Sequence, residues 1–277
     1  MTNADPRAIE GSPDHLTAVF FDLDKTILAR SSTLAFSRSF YKGGLINRRA
    51  VVRSAYAQFV YLLGGANHDQ MEKVRSHLSR LVTNWDVSIV KDIVAEALHN
   101  VVVPLVYAEA VTLINEHRSA GRDIVIVSSS GQEVVEPIGR MLGADLVIAT
   151  RMAVAEGRYT GEITFYSYGD NKVSAVKELS RSRNYDLSRC YAYSDSITDL
   201  PLLEAVGHPY VVNPDRALRR TAAQRGWPVL RFSRPVVVPK RSRLGINRPV
   251  LTAAALGAGV AMALLWVIRR GASRDQR

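Results

Sequence analysis

Val19-Phe20-Phe21-Asp22-Leu23-Asp24-Lys25-Thr26 is an apolar run that ends in two aspartates two positions apart, with a threonine two positions further on. Side chains alternate along a strand, so Asp22 and Asp24 are expected to leave it on the same side. In an open α/β sheet the carboxyl end of a strand is where ligands bind. Two carboxylates held together there repel each other, so the place calls for a cation or a shared proton. Asp-x-Asp beside a strand end is also ordinary turn chemistry. The stretch alone leaves both readings open, and the rest of the chain has to choose.

The pattern around it predicts an α/β protein. A strand over 16–23 leads through 26–32 into a long segment, 34–103, with helical periodicity. Phe36, Phe40 and Tyr41 recur at helical spacing, further helices are expected over 51–63, 71–82 and 86–98, and Asp86 is placed to cap the last of them. Gly43-Gly44 and Gly64-Gly65 punctuate this segment, which has the pattern of a helical cap inserted after the first strand. Pro104 restarts an alternation of strands and helices. A helix over 105–118 is followed by Gly121, a strand over 123–127 leads into Ser128-Ser129-Ser130-Gly131, and a helix covers 132–142. A strand over 146–149, a hairpin over 151–163 turning at Glu156-Gly157, a helix over 172–182 and a strand over 189–193 come next. Helices over 200–206 and 216–225 and strands over 210–212 and 229–232 complete the alternation. The predicted fold is a doubly wound, Rossmann-like, mostly parallel sheet.

The formal charge of +10 raises nucleic acid as a partner, but its location argues otherwise. Residues 233–277 hold nine Lys/Arg and one acid, a net +8, which leaves only +2 for the other 232 residues. A nearly neutral globular part carries no nucleic-acid footprint. The single cysteine, Cys190, sits in an apolar run and is expected in the core, and one cysteine with no Cys/His cluster fits a reducing compartment and no structural zinc. Residues 1–16 are polar and read as a tail, without the basic start and apolar stretch of a secretory signal. A basic linker over 233–248 precedes 19 uncharged residues, 250–268, between Arg248 and Arg269-Arg270. That run is long enough to cross a bilayer, with Trp266 near one end. It predicts a C-terminal transmembrane helix, 249–270, ahead of a short tail, 271–277, with the globular part at the cytoplasmic face of the cell membrane.

Three more pieces fall at predicted strand ends or helix starts. Ser128 follows a strand, and its hydroxyl and the amides opening the next helix suit an anion. Lys172 stands in Gly169-Asp170-Asn171-Lys172 at a helix start, where a cation is unfavourable unless it serves an anion. Tyr193-Ser194-Asp195-Ser196-Ile197-Thr198-Asp199 supplies two further carboxylates after a strand.

The order strand–Asp-x-Asp-x-Thr, strand–Ser, Lys at a helix, strand–Asp-x-x-x-Asp resembles the haloacid-dehalogenase-like (HAD) phosphohydrolases. The match is closer to their phosphoserine-phosphatase-like branch, subfamily IB, and covers roughly 17–232: a core of 17–33 plus 104–232 and a cap of 34–103. The resemblance implies that Asp22 is a nucleophile forming an aspartyl-phosphate and that Asp24 is the general acid/base. It implies that Ser128, Lys172 and Thr26 hold substrate phosphate. It further implies Mg²⁺ held by Asp22, the Asp24 backbone carbonyl and Asp195, with Asp199 orienting that set or its water. Departures from the branch are Ser31 in place of the glutamate that binds a substrate amino group, Ser194 for glycine, Thr198 for asparagine, and Ser129 and Ser130 where glycines are common. The expectation is a membrane-tethered, Mg²⁺-dependent phosphomonoesterase acting on a lipid-linked or small phosphate ester. The rivals are a non-catalytic, membrane-bound, phosphate-binding regulatory module and a phosphotransferase. Oligomeric state cannot be read from these motifs.

Overall fold

The computed structural model describes residues 16–46 and 79–235, which belong to one compact unit. The helix expected over 51–63, most of that over 71–82, the linker beyond Pro235 and the transmembrane run lie outside the described residues. Among the described residues no helix is long and apolar enough to cross a membrane.

At the centre is a seven-stranded sheet in the order β4-β3-β2-β1-β5-β6-β7. Its strands are β1 (Ala18–Asp22), β2 (Asp123–Gly131), β3 (Leu146–Ala155), β4 (Arg158–Phe165), β5 (Tyr191–Ser194), β6 (His208–Val212) and β7 (Val229–Leu230). All neighbours are parallel except the β3–β4 hairpin. All five residues of β1 are buried, which is why its sequence is a continuous apolar run rather than an alternating one. Phe21 packs on one face with Ile124, Ile126 and Tyr193, and Phe20 on the other with Val125, Val127 and Leu203. Cys190 lies in the second of these cores, as its surroundings predicted.

The chain leaves β1 toward β2 and β3 on one side and returns to build β5, β6 and β7 on the other. The strand order therefore reverses between β1 and β5. A crevice opens at the carboxyl ends of strands at such a point, and Asp22 and Ser194 are the last residues of these two strands.

Two boundaries differ from the sequence expectation in ways that matter to the site. β2 does not stop at Val127. Ser128 pairs with Ala149 and Gly131 with Thr150, with a register irregularity between them, so the three serines belong to a bulged strand. β3 likewise runs on as one strand into the hairpin, where Glu156 (φ 50°) and Gly157 (φ 75°) make a two-residue turn with both residues left-handed, the geometry that suits strand twist.

Short helices α1 (Ser32–Ala35) and α2 (Ser37–Lys42) lead into the cap segment, and α3 (Val87–Val102) leads out of it. Asp86 caps α3, accepting from the Ser88 amide at 3.0 Å. Phe36, Phe40, Val90 and Val94 share one hydrophobic cluster with Val19 and Ile124 of the sheet. The β3–β4 hairpin is pinned to the same segment: the Asn84 amide donates to Tyr159 O at 2.8 Å and the Tyr159 amide to Trp85 O at 3.0 Å.

Helix α4 (Ala108–Ser119) brings His117 under β1 and β5, where its Nε2 lies 2.9 Å from the Tyr193 hydroxyl. Burial, and secondarily the Arg122 charge, pushes this imidazole down from 6.5 to about 4. The unfolded chain therefore takes up a proton near pH 6.5 that the folded protein refuses until about pH 4, and stability falls as pH falls through that window. The loss is up to about 1.4 kcal/mol per pH unit. Urea unfolding of His117→Asn between pH 7 and 4 is expected to show a shallower pH slope than wild type. Identical slopes would remove His117 as the cause.

Candidate active site

After Asp22 the backbone turns sharply. Lys25 adopts φ 63°, and the Ile27 and Leu28 amides both donate to Leu23 O, at 3.0 and 2.9 Å. The turn reading and the site reading of Asp-x-Asp are thus both true: the turn is what presents the two carboxylates. Asp24 does not point freely into the crevice. Its Oδ1 accepts from the Ser32 amide at 2.7 Å and its Oδ2 from the Ser130 hydroxyl at 3.0 Å.

Lys172 is the third residue of helix α6 (Asp170–Arg183), which follows α5 (Gln132–Leu142) and which the chain enters through Gly169 at φ 54° and ψ −126°, a conformation open essentially to glycine. The lysine is only 3 % exposed. Its Nζ donates to Asp22 Oδ1 at 2.6 Å and to Asp199 Oδ1 and Oδ2 at 2.9 and 2.8 Å. Ser194 Oγ also donates to Asp199 Oδ2, at 2.7 Å. Burial works against the ammonium, but the Asp199 and Asp22 carboxylates outweigh it and hold Lys172 charged well above its ordinary range. This answers the oddity of a cation at a helix start: the anions it serves are two buried side chains.

Asp195 follows β5 and is as buried as Asp22. Burial raises Asp22 from 3.8 to about 7, with Lys172 offsetting part of it and Asp199 adding to it. Burial raises Asp195 to about 8, and the neighbouring Asp22 charge is the next cause. Asp24 is raised as well, by burial that outweighs its bonds to Ser32 and Ser130. Four carboxylates here face one buried lysine, with the Lys25 charge lowering Asp195 in part.

The sequence-derived residues thus divide. Asp22, Lys172 and Asp199 are in direct contact, Asp195 is coupled to them by charge, and Asp24 sits beside them on its own donors. Ser128 is buried and its Oγ accepts from the Ser130 amide at 3.2 Å. Thr26 is fully enclosed, and its Oγ1 has no hydrogen-bond partner among the described residues. Of the residues the motifs offer for a metal, the Asp24 and Asp199 side chains are held by other donors, which leaves the Asp22 and Asp195 carboxylates and the Asp24 main-chain carbonyl. Among the described residues no three His, Cys, Asp or Glu side chains are gathered to hold a metal ion. Asp199 accepts from Lys172 and Ser194 with its two carboxylate oxygens, and Asp24 accepts from Ser32 and Ser130 with its own. The remaining donors, Asp22 and Asp195, are hard, buried and mutually repelling, so the chemistry of the set fits a small divalent cation completed by main-chain oxygen and water. Ser130, Ser32 and Ser194 were not foreseen as partners. The one signal pointing to Ser130 and Ser194 is that serine stands where glycine is common in the phosphoserine-phosphatase-like branch.

A model of the haloacid dehalogenase-like hydrolases matches residues 19–204, more than half of the chain. The chain belongs to this family. Within it, the "Inhibition of morphological differentiation protein" of Streptomyces azureus is 61% identical over 260 residues, covering 92% of this chain and 94% of that protein. A Mycobacterium tuberculosis H37Rv protein named as a probable phosphatase is 58% identical over 246 residues, covering 89% of this chain and 86% of that one. Among solved structures, a substrate-bound phosphoserine phosphatase complex shares the fold at a TM-score of 0.58 and 17% identity, covering 78% of this chain and 92% of that one. The sheet reversal and its carboxylates thus lie within the stretch that matches the haloacid dehalogenase-like hydrolases, a family to which the phosphatase character of this chain belongs.

Proposed function

We propose that this HAD phosphatase hydrolyses phosphate monoesters in two half-reactions on Asp22, with Asp24 carrying the proton in both. The observation that supports this most is the Lys172 ammonium 2.6 Å from Asp22 Oδ1, beside an Asp24 whose carboxyl is held on different donors. The two aspartates therefore have separate environments and separate jobs. An Asp22 oxygen attacks phosphorus, the ester P–O bond breaks, and the Asp24 carboxyl gives its proton to the departing alcohol oxygen. Asp24, now a carboxylate, takes a proton from a water molecule whose oxygen attacks the same phosphorus. Inorganic phosphate leaves and Asp22 is regenerated. Burial raises Asp24, which favours the protonated form needed to begin. Lys172 offsets charge on the transferring group, and Asp199 and Ser194 hold that lysine in place. Mg²⁺ held by Asp22, Asp195 and the Asp24 main-chain carbonyl would supply charge neutralisation of the phosphoryl oxygens.

The test is hydrolysis of 4-nitrophenyl phosphate with Mg²⁺ and with EDTA, together with acid-quenched mass analysis of the peptide carrying Asp22. Turnover that EDTA abolishes and a phosphoryl adduct on that peptide are expected. Undiminished turnover in EDTA with no adduct would reject the mechanism.

A stability measurement addresses the cation separately from activity. Asp22 and Asp195 keep protons up to about pH 7 and 8 in the fold, whereas the unfolded chain loses them near 3.8. Without metal, their contribution to stability falls as pH rises from about 4 to about 8. Mg²⁺ is expected to raise Tm more at pH 8 than at pH 5. Equal gains at both, or none, would count against a cation on these two residues.

For the substrate, Ser31 stands where the branch places an amino-binding glutamate, and the uncharged run 250–268 is proposed to tether the enzyme to the cytoplasmic face of the cell membrane. A lipid-linked ester, or a small one such as glycerol phosphate, fits that placement. Basic residues beside an anionic leaflet add about 1 kcal/mol each. If the full chain hydrolyses phosphoserine at least as fast as a lysophospholipid phosphate presented in vesicles, this substrate class is wrong.

A further inference from the structure

We propose that Ser130 is a positioning residue for Asp24, and that the Ser32 and Thr33 hydroxyls at the entrance to the cap aim it. The inference rests on the proton-carrying role of Asp24 given above. Ser130 is buried in the bulge of β2, and Ser32 is fully buried at the start of α1. Ser130 Oγ donates to Asp24 Oδ2 at 3.0 Å, and Ser32 Oγ donates to Ser130 Oγ at 2.9 Å. Thr33 Oγ1 lies 3.2 Å from the same oxygen.

A serine hydroxyl has one hydrogen and two acceptor sites. Ser32 fills one acceptor site, and with the one hydrogen donated to Asp24 the other acceptor site is left to face Thr33. The Ser32 amide takes the other carboxylate oxygen at 2.7 Å. Two donors from two elements, β2 of the core and the entrance to the cap, thus fix the plane of the carboxyl. A carboxylate offers about four acceptor sites, so sites remain for the leaving oxygen and then for water. The bulge turns Ser130 toward Asp24, and the Ser130 amide is tied back to Ser128 Oγ at 3.2 Å. A glycine here would leave Asp24 with the Ser32 amide alone.

Proton transfer requires the carboxyl to stay within hydrogen-bond reach of the ester oxygen. How much this matters depends on the leaving group. 4-Nitrophenolate departs readily without a proton, whereas an aliphatic alkoxide does not. The experiment is kcat/KM for 4-nitrophenyl phosphate and n-butyl phosphate in wild type, Ser130→Ala and Ser130→Gly, with Tm measured alongside. Loss of the positioning donor is expected to lower kcat/KM for the butyl ester about tenfold or more, a part of the total that general acid catalysis supplies. The nitrophenyl ester is expected to lose less than about threefold, being nearly independent of that proton. Ser130→Thr, which restores a hydroxyl, is expected to return the ratio of the two esters toward wild type. Equal losses on both esters in the Ala and Gly variants would mean a merely structural serine and overturn the proposal. Asp24→Asn separates the two levels. If it too affects both esters equally, the proton role of Asp24 fails; if it discriminates while the Ser130 variants do not, only the role of Ser130 fails.

Discussion

Asparagine in place of Asp22 is expected to reduce kcat for 4-nitrophenyl phosphate by about 10⁴-fold or more, the scale seen when a covalent nucleophile is removed. The substitution is nearly isosteric, and its amide oxygen can still accept the Lys172 hydrogen bond that Asp22 Oδ1 accepts at 2.6 Å. What disappears is the nucleophile and one buried negative charge. That charge is costly where it stands: burial raises Asp22 to about 7, and Asp22 is in turn the second cause of the raised Asp195. The metal-free variant is therefore expected to keep a Tm at pH 8 equal to or above that of wild type, while its activity is lost. Kinetics and calorimetry on the same sample check both halves. Turnover within tenfold of wild type would exclude attack by Asp22. A large drop in Tm would mean that the carboxylate stabilises the site rather than burdens it.

The second large effect is expected at Lys172. Lys172→Met keeps length and apolar volume but deletes the cation that Asp22 and Asp199 share. Removing one member of a buried ion pair strands its partners, at a cost of about 3–5 kcal/mol, and kcat/KM is expected to fall about 10³-fold with the loss of charge opposite the phosphoryl group. The stranded acids can escape by taking protons, so the destabilisation is expected to be larger at pH 8 than at pH 5. Adding Asp199→Asn to Lys172→Met removes one stranded charge. It is expected to recover part of the stability and none of the activity, which separates the structural role of the pair from the chemical one. Urea unfolding of the two variants at both pH values measures this. A single variant as stable as wild type at pH 8 would show that the lysine is not holding these acids together.

The contrast between the two substitutions follows from burial. Asp22 is an excess charge in a crowded site, whereas Lys172 is the only buried cation among the described residues of that site. One side chain acts in the chemistry at a cost in stability, and the other stabilises the site that makes the chemistry possible.

Much of this protein is legible in its amino-acid order alone. A strand buried on both faces must be a continuous apolar run, so 19–23 announced itself, and Asp22 and Asp24 came with it. The alternation of strands and helices after Pro104 implied a parallel sheet, and the motif order placed Asp22, Lys172, Asp195 and Asp199 at its carboxyl edge. These are local properties, since periodicity reports burial and element type over a few residues. The hydrogen-bond partner of each carboxylate was not legible. Asp199, which the motif order set beside the metal, accepts from Lys172 and Ser194, and the Asp24 side chain accepts from Ser32 and from Ser130, which lies 106 positions away. Those pairings depend on sheet register and on the bulge that carries β2 past Ser128. Register and bulges are settled by contacts between strands far apart in the chain, which is why only the tertiary structure decides what each acid is free to do.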